Sequence, residues 1–321
     1  MKPYAANLKD IQAAAQRIQP HIHRTPVFTS RTLDGFASRM LHFKCENFQR
    51  VGAFKMRGAL NAVLSISDEA AAAGVVTHSS GNFAQAVAAS AKIRGIPAHI
   101  VMPENAPAIK RRAVEGYGGR VITCEATLEA RERTADQVRQ ETGATLLHPF
   151  DQDEVIAGQG TVAIELLEQV PQLEAVVVPV GGGGLISGVA LALRELQPDI
   201  RIFAAEPRGA DDAYRSKKAG RLIPQTDPNT IADGLLTSLG ERTWPVIRDL
   251  VEQVIVVEDK AIMGAMRIVW ERMKVIIEPS AATAVAACFS EEMKEIRGFS
   301  HMGVLLTGGN LDLEKIPFRD A

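Results

Sequence analysis

Four consecutive glycines, Gly181, Gly182, Gly183 and Gly184, follow directly on the apolar run AVVVPV and precede a helical pattern that begins near Leu185. A strand, a glycine run and a helix start together make an anion cradle, because unhindered backbone N–H groups point inward and the helix dipole adds partial positive charge. A GxGxxG register fails, with Ile186 and Ser187 where the third glycine should stand, and no GxxxxGK[ST] occurs. The alternative is a tight turn without ligand, but four glycines exceed what a turn needs. His78-Ser79-Ser80-Gly81-Asn82 opens a second helix after a strand and offers hydroxyls, an amide and free N–H donors, which suit a carboxylate. Taken alone, that segment is better read as ordinary N-capping by Ser or Asn. Thr307-Gly308-Gly309-Asn310 is a third strand end of this kind, or a simple turn. Lys55 stands among Gly52, Ala53, Phe54 and Gly58, where small residues admit a planar ligand. Lys44, in the other Phe-Lys pair, falls on the polar side of an alternating strand and reads as a solvated charge.

The elements that carry these residues follow from periodicity. Asn7 caps a first helix with Leu8, Ile11, Ala15 and Ile18 on one face, stopped by Pro20. Residues 41–46 alternate and read as a half-exposed strand. From about residue 74 strands and helices alternate: strands near 75–78, 98–102, 120–124 and 144–147, helices near 82–94, 108–117 and 128–141. Gly95, Gly118 and Gly143 close those helices. The pattern resumes with a helix near 154–169, a wholly apolar strand at 175–180, and strands at 201–205, 253–257 and 304–307. Helices near 185–197, 260–273 and 280–297 lie between them; residues 209–240 resist assignment. Such alternation implies parallel βαβ units in an α/β fold of two lobes, with a ligand in the cleft at the strands' carboxyl ends.

Composition narrows the function classes. The 321 residues allow two domains, and 36 Lys+Arg against 38 Asp+Glu leave a net charge of −2. That near-neutrality argues against nucleic acid or anionic membrane as partner. Cys45, Cys124 and Cys288 are odd in number and scattered, which fits a reducing, cytoplasmic setting and no cysteine metal site. No stretch approaches the length of a membrane span.

Taken together, KCENFQRVGAFKMRGALNA, THSSGNFAQA, HPFDQDEVIAGQGT, VVVPVGGGGLISG, EPRGADDAYRSK, IADGLLTSLG, IEPSAATA and LLTGGN resemble the serine racemase and serine/threonine dehydratase family, the fold-type II pyridoxal 5′-phosphate enzymes. The resemblance runs nearly the full length. It implies a large cofactor-binding domain of residues 1–69 and 151–321, a small substrate-binding domain of residues 70–150, and a homodimer. It implies that Lys55 forms the internal Schiff base with Phe54 beside the ring, and that the glycine loop 181–184 surrounds the phosphate. Asn82 then meets the pyridine 3′-oxygen and Thr307 the pyridine nitrogen. Ser79, Ser80, Gly81 and Asn82 take the substrate carboxylate, and Ser80 serves racemases as acid/base. Glu206, Ala210 and Asp212 match a divalent-cation site whose oxygen ligands suit Mg²⁺ or Ca²⁺, with Mn²⁺ a third candidate. An N-cap explains Asp211-Asp212 but not Glu206.

One departure stands out: the family usually reads SSGNHAQ or SSGNHGQ, and here Phe83 replaces the histidine. The family's usual substrate range therefore does not carry over by itself. Phe150 is closer to the dehydratase-like members. The implied activity is loss of water from L-serine, L-threonine or L-threo-3-hydroxyaspartate to give a 2-oxo acid and ammonia. Its rivals are an amino acid racemase with dehydration on the side, and a non-catalytic ligand-binding member of the fold. Arg57, Arg111 and Arg131 are candidates for a second substrate carboxylate. TGGN ends eleven residues before Ala321, so the resemblance implies no appended regulatory domain.

Overall fold

A computed structural model describes residues 4–316. Among the described residues ten strands form two sheets: β1 Val27–Phe28, β2 Met40–Cys45, β3 Val75–Thr77, β4 Ala98–Pro103, β5 Arg120–Cys124, β6 Thr145–Leu146, β7 Ala175–Pro179, β8 Arg201–Pro207, β9 Gln253–Val257 and β10 His301–Leu306. The larger sheet has the order β1-β2-β10-β7-β8-β9 and the smaller β5-β4-β3-β6. Every pairing is parallel except β1 with β2. The chain is thus α/β, with helices on both faces of each sheet, as its alternating pattern demands. No described helix is long and apolar enough to cross a membrane.

Four expectations change. β2 is buried along its whole length after Met40, so its alternation does not mark a solvent face. Lys44 is fully buried: its Nζ donates to Glu165 Oε2 at 2.7 Å, to Gln169 Oε1 and to the Thr25 carbonyl. Arg57 is equally buried and forks onto Glu46 (2.7 and 2.8 Å) and Glu165 (2.8 and 2.9 Å). With both carboxylates taken, Arg57 is not available to a substrate. Two bases and two acids neutralise one another inside the fold, as buried charges must. This cluster ties β2 to the first turn of helix Lys55–Ser65 and to helix Asp153–Gln169. The expected helix near 280–297 also breaks, into Pro279–Phe289 and Glu291–Glu295, because Ser290 ends one and caps the next.

Helices Lys55–Ser65, Asp153–Gln169 and Gly184–Leu196 cross in near contact, and glycines make that possible. A Cβ on Gly188 would lie 2.3 Å from the Ile156 carbonyl oxygen, and one on Gly158 would lie 2.6 Å from that of Arg57. The crossing brings the start of the lysine helix and the start of the glycine-loop helix to one place. Gly188→Ala is expected to lower stability by about 1–3 kcal/mol through overpacking, read as a lower urea midpoint.

Candidate active site

Lys55 is the first residue of its helix, and the backbone before it is pinned to the far end of the chain. Ala53 bridges Gly308 in antiparallel fashion, the Phe54 N–H donates to the Thr307 carbonyl at 3.0 Å, and the Gly309 N–H donates to the Gly52 carbonyl at 3.0 Å. Val51 and Gly52 both take positive φ to turn the chain into this pairing. Lys55 and Thr307, 252 residues apart in the sequence, are thereby brought side by side.

The Lys55 side chain is partly accessible, but protein surrounds its nitrogen. The amine lies 5.1 Å from the centre of the Phe54 ring and 5.7 Å from that of Phe83, and donates to the Pro149 carbonyl at 2.9 Å. Among the described residues it has no ion pair within salt-bridge distance. Burial therefore pulls it down to about 8, against an opposing pull from Glu278. Phe83 is fully buried, so the departure noted in the sequence places an apolar ring beside the amine.

The glycine loop follows β7 and is wholly buried. Gly183 has φ +87°, a conformation that favours glycine. A Cβ on Gly182 would fall 2.2 Å from the Phe150 ring, and one on Gly181 3.0 Å from the Leu235 Cα. Thr243 Oγ1 holds the loop by donating to the Gly182 carbonyl at 2.8 Å. The loop is a backbone-only cradle at a helix start, the geometry an anionic group requires.

Ser79, Ser80, Gly81 and Asn82 form the turn from β3 into helix Asn82–Arg94, all half-buried. The Asn82 amide is held on both sides. Its Nδ2 donates to both oxygens of Glu278 (3.1 and 3.2 Å), while its Oδ1 accepts from Asn310 Nδ2 at 2.9 Å. Thr307 is buried just beyond β10. The structure so gathers Phe54, Lys55, Asn82 and Thr307 into one region where the two sheets meet. A cavity of about 480 Å³ adjoins it, lined by Gln85, Lys110, Asp233, Pro279 and Asn310 rather than by Lys55.

Glu278, which sequence reasoning did not single out, is buried in this network. Burial pushes its carboxyl up to about 7, Asp233 adds to the rise, and the Asn82 amide opposes it. Its signal was a lone acid in the apolar run VIIEPSAATAVAA.

Glu206 stands near the end of β8, with Ala210 and Asp212 on the turn and helix start that follow it. Both oxygens of Glu206 accept backbone N–H groups, from Ala213 (3.0 Å) and Tyr214 (2.9 Å), and Asp212 Oδ2 accepts from Leu239 at 2.8 Å. Asp212 Oδ1 is buried without a partner, and burial pushes this carboxyl up to about 6. Burial and the neighbouring Asp212 drive Glu206 well upward too. Among the described residues no group of three or more His, Cys, Asp or Glu is placed to hold a metal. Of the remaining arginines, Arg111 donates to Thr123 at 3.4 Å, and Arg131 lies on helix Leu128–Thr142.

Between about pH 4.5 and 7 the folded chain holds a proton on Glu278 that the unfolded chain has released, so stability falls as pH rises through that window. Glu278→Gln is expected to remove roughly 3 kcal/mol of this pH dependence, measured as the difference between the two proteins' urea midpoints across the window.

The profile of the family described as "Pyridoxal-phosphate dependent enzyme" matches residues 18–308. A serine racemase of Oryza sativa subsp. indica is 52% identical over 313 residues, which cover 97% of this chain and 92% of that one. A beta-hydroxyaspartate dehydratase of Paracoccus denitrificans is 47% identical over 315 residues, 98% and 99% of the two chains. The solved structure of maize serine racemase superposes with a TM-score of 0.96 at 53% identity, covering 97% of this chain and 95% of that one. With its anion cradle, buried amine and two-sheet frame, the chain belongs to the pyridoxal-phosphate dependent enzyme family.

Proposed function

We propose that this chain is a pyridoxal-phosphate dependent dehydratase that converts a β-hydroxy amino acid, L-serine, L-threonine or L-threo-3-hydroxyaspartate, to a 2-oxo acid and ammonia. The observation that carries the reading is the Lys55 amine, enclosed beside Phe54 and Phe83, whose burial outweighs the pull of Glu278 and which has no ion pair among the described residues. Lys55 is assigned the covalent bond to the cofactor. Phe54 packs beside the ring, Asn82 serves its 3′-oxygen, the N–H groups of Gly181, Gly182, Gly183 and Gly184 its phosphate, and Thr307 its ring nitrogen. The fit rests on the backbone cradle, which admits no side chain, and on the buried amine. When bound, the cofactor supplies a sink for the electron pair left at the substrate Cα.

The chain's own residues supply the rest. Ser79, Ser80, Gly81 and Asn82 bind the substrate carboxylate at a helix start. Lys55 removes the Cα proton, and an amine near 8 keeps roughly a tenth of its population neutral at pH 7, enough to act as base. Phe54, Phe83 and Pro149 exclude water around that nitrogen. Thr307 would present a hydroxyl to the ring nitrogen, a weaker hold on a proton there than a carboxylate would give. Ser80 is assigned the second acid/base. Through it racemisation becomes a parallel outcome, a second reading favoured by the rice and maize relatives. The division into lobes 1–69 with 151–321 and 70–150 belongs to the same proposal.

Glu206, the Ala210 carbonyl and Asp212 are proposed to bind Mg²⁺, Ca²⁺ or Mn²⁺. The partnerless Asp212 oxygen and the two crowded carboxyls support it, since a cation relieves both. A homodimer would cover the exposed rings of Phe28 and Phe48, which meet edge-on at 6.0 Å beside the edge strand β1. A cytoplasmic setting accords with three free cysteines.

The test is release of 2-oxo acid from the three substrates, both enantiomers, with and without Mg²⁺. Lys55→Ala is expected to lose the activity by about 10²–10⁴-fold or more, and retained turnover would falsify the assignment. Ser80→Ala should depress racemisation far more than elimination if Ser80 serves the second face; equal loss of both sinks that role.

A further inference from the structure

A single turn, residues 148–151, touches three parts of this site. Pro149 gives its carbonyl to the Lys55 amine at 2.9 Å. Phe150 fills the floor of the glycine loop, where a Cβ on Gly182 would meet its ring at 2.2 Å and one on Gly184 its carbonyl oxygen at 2.9 Å. Asp151 Oδ1 accepts the Arg242 N–H at 2.8 Å and occupies the space beside Gly240.

The side chain that opens the turn holds it together. His148 Nδ1 accepts the Asp151 N–H at 2.9 Å and, more weakly, the Phe150 N–H at 3.4 Å. Gln152 Oε1 in turn accepts the N–H of His148 at 3.0 Å. A ring nitrogen that accepts carries no proton, so the imidazole is the neutral Nε2–H tautomer. Burial pulls it down to about 4; Asp151 opposes, while His78, Lys55 and Arg242 push the same way as burial. The ring stands edge-on to Phe150 at 4.6 Å and to His78 at 6.2 Å. His78 immediately precedes Ser79, so the same imidazole braces the carboxylate loop.

We infer that His148 is a positioning residue whose imidazole sets the 148–151 turn and thereby the seat and enclosure of the Lys55 amine. The inference rests on Lys55 being the reactive amine and adds the group that keeps it enclosed. Burial is the main cause of its lowered proton affinity. A turn no longer held admits water over the nitrogen and relaxes it toward the value of a free lysine.

The experiment uses the full chain freed of cofactor, labelled at Lys55 with cyanate across a pH series and read by peptide mass spectrometry. Wild type should show a midpoint near 8. His148→Ala should raise it by about one pH unit, roughly a tenfold loss of free amine near neutrality. His148→Asn, whose side-chain oxygen can take the same two N–H groups, should restore the wild-type midpoint. His148→Gln carries its acceptor past them and should behave as Ala does, which keeps the test usable where Ala lowers the melting temperature. The inference is overturned if Ala and Gln leave the midpoint at its wild-type value, or if Asn moves it as far as Ala. A wild-type midpoint near that of a free lysine overturns the reading of Lys55 itself, and the inference with it.

Discussion

A lysine amine buried with no ion pair among the described residues is the constraint around which this structure is arranged. Transfer of an ammonium out of water is costly, and proteins meet that cost by pairing the charge or by lowering its proton affinity. The chain does both, at two lysines eleven residues apart in the sequence. Lys44 is paired with Glu165 and braced by Gln169 and Thr25, so it serves the frame. Lys55 meets a carbonyl and two phenyl rings, and it is left poised near neutrality. The Arg57 fork between Glu46 and Glu165 joins the two, since it ties the first turn of the Lys55 helix to the buried cluster that holds Lys44.

Keeping that amine unpaired shapes its surroundings. Two helix starts offer backbone N–H groups to anions, and these carry no titrating charge to compete with the lysine. This is how a chain of net charge −2 can present a cradle for an anion without a basic surface. The carboxyl of Glu278 is itself pushed up to about 7 and engaged by Asn82, so it pulls on the amine without forming an ion pair with it. Glycine appears where another group comes too close for a side chain: the Phe150 ring at Gly182, the Leu235 backbone at Gly181, the Glu278 carboxyl at Gly308, and neighbouring backbone at the helix crossings beneath.

Much of this was legible in the sequence because its signals are local. A glycine run between a strand and a helix suggests an anion cradle by composition, whereas a Ser-Ser-Gly-Asn segment at a helix start reads as an ordinary N-cap until the resemblance sets it beside the others. The alternating strands and helices foretold two α/β sheets in the same way. What escaped depends on pairings distant in the chain. The alternation of β2 looked half-exposed because a buried ion cluster places charged residues where water would otherwise be inferred. Arg57 looked free because its partners, Glu46 and Glu165, lie 11 and 108 residues away. Nor does spacing reveal that Asn82 faces Glu278 or that His148 caps its own turn; the first needs tertiary contact, and the second needs a tautomer.

The central claim, that one buried and unpaired lysine is the cofactor's anchor, is tested most directly by chemistry that records the bond itself. Borohydride reduction of the chain loaded with pyridoxal phosphate, followed by peptide mapping, should place a phosphopyridoxyl group on Lys55 and on no other lysine. Label on Lys44 or elsewhere, or no label at all in a protein that has taken up the cofactor, would contradict the account.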